Sequence, residues 1–267
     1  PEDCVLKFEG GSFKNGTLIG SNTTIDAYSY IFRNIMIKGT YINDFYVEWW
    51  GAHSSKSNNE IYINSAIKSL GVSSLSITAD ERIDRILILR GCYEITNTIY
   101  LNSYVSLIGS GTFSRSRWAN TQSTIIVNFK ESNKWIIDIS YKDGTTIPYN
   151  KLYMENGDNL YNANTAINIS NLHIKYKKGS SKVFGGIRAA YTIHSKFTNI
   201  DISAPVQVGI AIIYGGWNME FKNILIYANN CGLYLGKLVT TVTLNNVYLL
   251  HENIGLSSTL EILNTTK

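Results

Sequence analysis

Charge is scarce in this 267-residue chain: 16% of its residues are Asp, Glu, Lys or Arg, against roughly 25% in an average soluble domain. Such a composition excludes intrinsic disorder and a charged coiled coil. Cysteine is scarcer still. Cys4, Cys92 and Cys231 form no C-x-x-C pair, and an odd count rules out a fully paired intrachain disulfide framework, so buried free thiols are expected. Long apolar runs are missing; a stretch such as 208–214 is far too short to cross a bilayer, and no membrane insertion is expected. Basic residues outnumber acidic ones by only 24 to 20, without a long block. The nearest approach, 175–178, reads as a solvated loop, and no nucleic-acid recognition module is present. The four histidines (His53, His173, His194 and His251) lack metal-ligand spacing. Gly109-Ser110-Gly111 lacks the third glycine and following helix of a dinucleotide site. No cofactor and no metal are expected.

What is present in quantity is repetition. Gly186, Gly209, Gly232 and Gly255 recur at a constant step of 23, and the first three open strand-like alternations such as Gly209-Ile210-Ala211-Ile212. A second signature runs in phase: Phe197-Thr198-Asn199-Ile200-Asp201-Ile202, then Phe221-Lys222-Asn223-Ile224-Leu225-Ile226, then Leu244-Asn245-Asn246-Val247-Tyr248-Leu249. Ile169 to Ile174 repeats it one turn earlier, and Phe32 to Ile37 repeats it near the start. Fixed periods of 20–50 residues mark solenoids. Within each repeat two apolar residues stand three apart, which breaks strand alternation unless the chain turns at the intervening Asn. Asn tolerates the left-handed backbone region better than other non-glycine residues. Asn171, Asn199, Asn223 and Asn246 are therefore expected to form one ladder at a solenoid corner.

One helix is predicted near 58–70. Ser57 to Glu60 has capping-box spacing, Ile63, Ala66, Ile67 and Leu70 form an apolar stripe, and Gly71 is a stop. A lone amphipathic helix beside a repetitive sheet suits an end plug. Strands resume at 86–89, 93–95, 99–101 and 105–108.

Trp49-Trp50-Gly51-Ala52, the capped helix with Ala66-Ile67, Gly91-Cys92-Tyr93-Glu94-Ile95 and the 105–111 segment VSLIGSG together resemble the pectate-lyase-like superfamily, in the branch of bacteriophage tailspikes and polysaccharide depolymerases. The resemblance runs from about residue 47 onward. It implies an all-β, right-handed, single-stranded parallel β-helix with rungs of about 23 residues and one N-terminal capping helix. Residues 1–46 form a leading β-solenoid segment and 47–267 the β-helix. Polar, strand-like sequence at 256–267 with no capping element suggests a longer protein. The acidic residues usual in this family after Gly-Ala and at the helix start are replaced here by HSSKSNN at 53–59, so the resemblance carries the fold and not a site built on those acids. It also implies a polysaccharide ligand, a homotrimer, contact with other virion tail proteins, and an extracellular or virion-tail location.

Candidate chemistry follows from the columns that the repeat creates, since neighbouring rungs lie about 4.8 Å apart. The alignment sets His173 beside Asp201, then Leu225 and Tyr248, facing outward. An imidazole beside a carboxylate can act as a general acid–base pair, or simply tie two rungs together. Glu220 is a third catalytic candidate, weakened because Lys196 falls in its column as a salt-bridge partner. Glycoside hydrolysis normally uses two carboxylates flanking the bond, and no such set occurs on the repeat strands; Asp80, Glu81 and Asp84 precede them in a loop. No acidic cluster supplies calcium ligands. Sugar contacts are expected from Arg115, Arg117 and Trp118, from Tyr149, Tyr153 and Tyr161 in the 141–164 interruption, and from Tyr214 and Trp217. Three readings stand: a tailspike-like polysaccharide binder or depolymerase, a secreted bacterial lyase or hydrolase, and a non-catalytic adhesive β-helix.

Overall fold

The computed structural model describes residues 2–71, 85–101, 104–113, 122–139, 164–165, 167–181, 183–251 and 259–262. Strands β1 (Val5–Lys7), β2 (Phe13–Asp26) and β3 (Phe32–Tyr41) form a small parallel sheet. Val5 pairs with Thr24 and Phe13 with Phe32, the same offset along the chain in each case. Everything from β4 (Phe45–Tyr46) onward belongs to a second, twelve-stranded sheet, so the sheet boundary falls between Tyr41 and Phe45.

That larger sheet comprises β4, β5 (Arg85–Leu89), β6 (Cys92–Ile95), β7 (Ile99–Tyr100), β8 (Val105–Gly109), β9 (Ser123–Val127), β10 (Trp135–Asp138), β11 (Asn164–Thr165), β12 (Asn168–Tyr176), β13 (Gly185–Ile193), β14 (Lys196–His251) and β15 (Thr259–Ile262). The strands expected at 86–89, 93–95, 99–101 and 105–108 are thus present as β5 to β8. All the pairings among these strands are parallel. They fall into three runs. The first half of β12 continues β8, β5 and β4; its second half continues β9 and β6; β13 continues β10 and β7. β14 joins both β12 and β13, with Phe197 opposite Ile169 and Ile210 opposite Ile187. A straight 56-residue strand would be about 190 Å long and could not return to these partners. It curls instead, through left-handed residues at Asn199, Asn218, Asn223, Leu238, Thr241 and Asn246.

The expected asparagine ladder is present. Asn171, Asn199, Asn223 and Asn246 have φ between 54° and 60°. Each side-chain amide donates to the carbonyl oxygen of the one before, at 2.8, 2.8 and 2.6 Å. Asn34 and Asn15 do the same in the small sheet, at 3.1 Å. Of the glycines at the recurring step, Gly186 and Gly209 pack so closely on the next rung that a Cβ would collide with the carbonyl oxygens of Gly209 and Gly232; Gly255 lies outside the described residues. One apolar core runs through both sheets, from Ile25 to Leu235, with the Phe197 and Phe221 rings stacked at 4.9 Å inside it.

Helix α1 (Glu60–Leu70) packs Ile63, Ala66, Ile67 and Leu70 against β3, β5 and β7. Its amino end differs from the sequence expectation. Asn59, not Ser57, precedes the first turn, and the capping box does not form. Glu60 has better partners: its carboxylate accepts from the amide and hydroxyl of Thr96 at 2.9 and 2.8 Å, tying helix to sheet. Gly71 does end the helix, its amide donating to the Ile67 carbonyl at 2.7 Å. Below it, buried Arg85 donates to the Leu70 and Gly39 carbonyls, and burial lowers its pKa, with Tyr41 partly opposing. Burial likewise raises the Tyr41 hydroxyl to about 12, the Arg85 charge pulling the other way. The cysteines are free as expected, but only Cys231 is buried; Cys92 takes an outward position on β6 and is exposed.

Candidate functional site

The column expected to hold His173 and Asp201 exists. Cys92 pairs with Thr124, Thr124 with His173, and His173 with Asp201, over four successive strands. His173 Nε2 stands 3.7 Å from Asp201 Oδ2. Ser203, two residues along the same strand, donates to Asp201 Oδ1 at 2.6 Å. The expectation of open, outward-facing side chains is corrected here: Asp201 is 0% exposed, Leu225 4%, and the His173 side chain 13%. A carboxylate removed from solvent cannot meet a polymer directly. It can orient the imidazole, which alone of the two retains a solvent-facing edge.

Glu220 occupies a different setting. Its amide donates to the Ser195 carbonyl as that of Lys196 does to Ile167, so Lys196 and Glu220 do share a column. Their side chains nevertheless form none of the ion pairs among the described residues. Glu220 is half-buried and lies three residues from Trp217, whose indole is 56% exposed. Trp217 pairs with Ile193 across the sheet, and the following residue, Asn218, turns the chain at φ 53°. His194 turns at φ 51° in the bend just after β13; its Nδ1 and the Asn218 amide are 2.8 Å apart, and its ring lies 5.9 Å from the indole. An exposed indole, an imidazole and a primary amide are thereby gathered on one corner, with Lys196 and Glu220 in the column that begins just after it.

Tyr214 does not join them. The register slips between Ala189 and Ala190, which places Tyr214 opposite the small Ala190 side chain, and the phenol sinks to 6% exposure in a second apolar cluster with Trp135, Val208 and Tyr234. Gly215, with φ 54°, then turns the chain so that Trp217 emerges alone. Arg115, Arg117, Trp118, Tyr149, Tyr153 and Tyr161 lie outside the described residues, as do Asp80, Glu81 and Asp84.

Two polar clusters escaped the sequence reading. Asp138 and Arg188, both almost fully buried, form an ion pair at 2.5 Å beside the Trp135 ring. Their separation along the chain is far from the recurring step, and only the pairing of β10 with β13 aligns them. Glu94 accepts from Lys177 at 2.7 Å and from Asn128 at 2.6 Å. Burial pushes its pKa up, but those two hydrogen bonds and the charges of Lys177 and Lys130 outweigh it and hold the carboxyl below its ordinary value. Among the described residues no group of three His, Cys, Asp or Glu side chains is placed to hold a metal. No helix there is long and apolar enough to cross a membrane. No protein-family model matches the chain, and no curated protein sequence matches it.

Proposed function

We propose that this chain is a right-handed parallel β-helix of the tailspike or tail-fibre kind and that it binds a bacterial surface polysaccharide. The all-parallel pairing, the asparagine corners and the helix packed on the sheet support the fold, and parallel crossovers are almost always right-handed. The observation that carries the binding role is Trp217, 56% exposed on a rigid corner beside His194 and Asn218. A pyranose has apolar C–H faces and a polar rim, and an indole flanked by hydrogen-bonding groups complements both. On this reading the protein works outside the cell or in a virion tail, as a trimer.

Depolymerisation is the second reading, favoured by the contact of His173 with Asp201 in one column. His173 then moves the proton and Asp201 is a positioning residue, while Glu220, free of Lys196, is the carboxylate open to a bound chain. A secreted bacterial lyase or hydrolase would use the same groups.

The test is a panel of capsular, lipopolysaccharide and pectic polymers, scored for binding, new reducing ends and ultraviolet absorbance of unsaturated products. Binding weakened about tenfold by Trp217→Ala, the equivalent of about 1.4 kcal/mol, is the expected result. Unchanged binding in that variant would sink the assignment. Reducing ends abolished by Glu220→Gln or His173→Ala would establish a hydrolase, and absorbance in addition a lyase; binding with neither signal would leave a receptor-binding scaffold.

A further inference from the structure

The corner that carries Trp217 holds a second ladder, and one of its members can take up a proton. His194 and Asn218 are both left-handed, at φ 51° and 53°, and stand 24 residues apart, the step from Asn199 to Asn223. Thr241, at φ 53°, follows at the step from Asn223 to Asn246. Histidine thus takes a place that asparagine holds on the first corner. The Asn218 amide donates to His194 Nδ1 at 2.8 Å, so the imidazole nitrogen stands in for an asparagine carbonyl oxygen. A carbonyl oxygen remains an acceptor across the physiological pH range, whereas an imidazole nitrogen does not.

That acceptor is coupled to Trp217, the residue before Asn218. The His194 amide donates to the Trp217 carbonyl at 2.9 Å, which ties the two backbones together. The imidazole and indole rings lie 5.9 Å apart, tilted by 36°. Behind them Ser195 is 0% exposed, its hydroxyl donating to the Ile193 carbonyl, whereas both His194 and Trp217 are exposed. The charged groups beside the imidazole are Lys196, two residues on, and Glu220 in the column of Lys196. Strand β11, which pairs with the end of β13, brings Asn164 and Thr165, and the rung beyond Asn218 brings Thr240 and Thr241; none of these four titrates.

A proton on Nδ1 sets two donors face to face, and the contact is lost unless the amide turns over. The ring also becomes a cation at a distance where a cation and an indole face attract, within about 6 Å. We propose that His194 is a proton-operated latch on Trp217. Neutral, it accepts from Asn218 and leaves the indole face open; protonated, it releases Asn218 and draws the indole onto the imidazolium. Histidine changes charge between about pH 5 and 8, so the latch closes in mildly acidic surroundings. The latch needs no ligand; its consequence, weaker glycan binding on acidification, rests on the polysaccharide reading above.

The experiment measures quenching of tryptophan emission by acrylamide, a neutral quencher, in the full chain at about pH 7.5 and about pH 5.5. Trp217→Phe supplies the signal of the remaining tryptophans, of which Trp49, Trp50 and Trp135 are buried. His194→Asn keeps an acceptor for Asn218 on a backbone that asparagine tolerates and removes the proton; an unchanged melting temperature at both pH values checks its fold. Quenching of Trp217 is expected to fall by about half on acidification in the wild type and to stay constant in His194→Asn. Quenching of Trp217 that ignores pH in the wild type, or falls equally in His194→Asn, would overturn the latch, and the first of these needs no variant of His194. The polysaccharide panel, run at both pH values, is expected to give binding about threefold weaker in acid for the wild type and unchanged for His194→Asn. Binding that persists alongside pH-independent quenching would overturn the latch alone. Absence of binding to any polymer, with pH-dependent quenching intact, would overturn the polysaccharide reading and leave the latch standing.

Discussion

A corner asparagine in this protein does two jobs at once, occupying a backbone region that most residues avoid and linking its rung to the next. Asn223 shows both: φ is 54°, its amide donates to Asn199, and its carbonyl oxygen accepts from Asn246. Replacing it with Ala loses two hydrogen bonds, each worth about 1 kcal/mol, and puts a residue without asparagine's tolerance of the left-handed region there, at a cost of up to about 1–2 kcal/mol. Asn223→Ala is therefore expected to destabilise by about 2–4 kcal/mol in a denaturant melt, and Asn223→Gly by less, because glycine removes only the hydrogen bonds. Equal losses would mean that the backbone conformation contributes nothing.

At the scale of an element, α1 divides sharply into a face that matters and one that does not. Ile67 is 1% exposed against the sheet, whereas Ile61, nearly two turns earlier, is 56% exposed. Ile67→Ala should cost about 2–5 kcal/mol and Ile61→Ala less than about 0.5 kcal/mol in a paired thermal melt. The stripe that distinguishes them was legible in the sequence, because helical periodicity is local. So were the strands, the corners and the His173–Asp201 column, because a recurring motif converts sequence distance into adjacency. The failures share a cause: each depended on a partner that no period could reach. Glu60 abandoned its capping box for the distant Thr96, and Tyr214 was buried by a slip in register at Ala190. Likewise Asp138 met Arg188 only because β10 and β13 pair at a separation unrelated to the repeat. Nothing in the sequence signalled that Asp201 would be sealed from solvent, since the same alternation describes an open and a covered face.

Over the whole molecule, distant segments are stapled by a few charged contacts, among them that of Glu94 with Lys177, which joins β6 to the chain just beyond β12. The folded-state pKa of Glu94 lies below its ordinary value, so its contribution is complete above that value, near 4.5, and is lost as pH falls through the lowered folded pKa. Glu94→Gln should lower the melting temperature at neutral pH, and the gap to wild type should close on acidification below about 4.5. A gap that persists at low pH would assign the loss to packing instead. Another molecular property follows from the registers. Trp135 pairs with Gly185 and Ser123 with Leu172, so the chain resumes the same columns after the whole of 140–163. The columns are thus re-established by the flanking strands themselves, through the pairing of β10 with β13 and of β9 with β12.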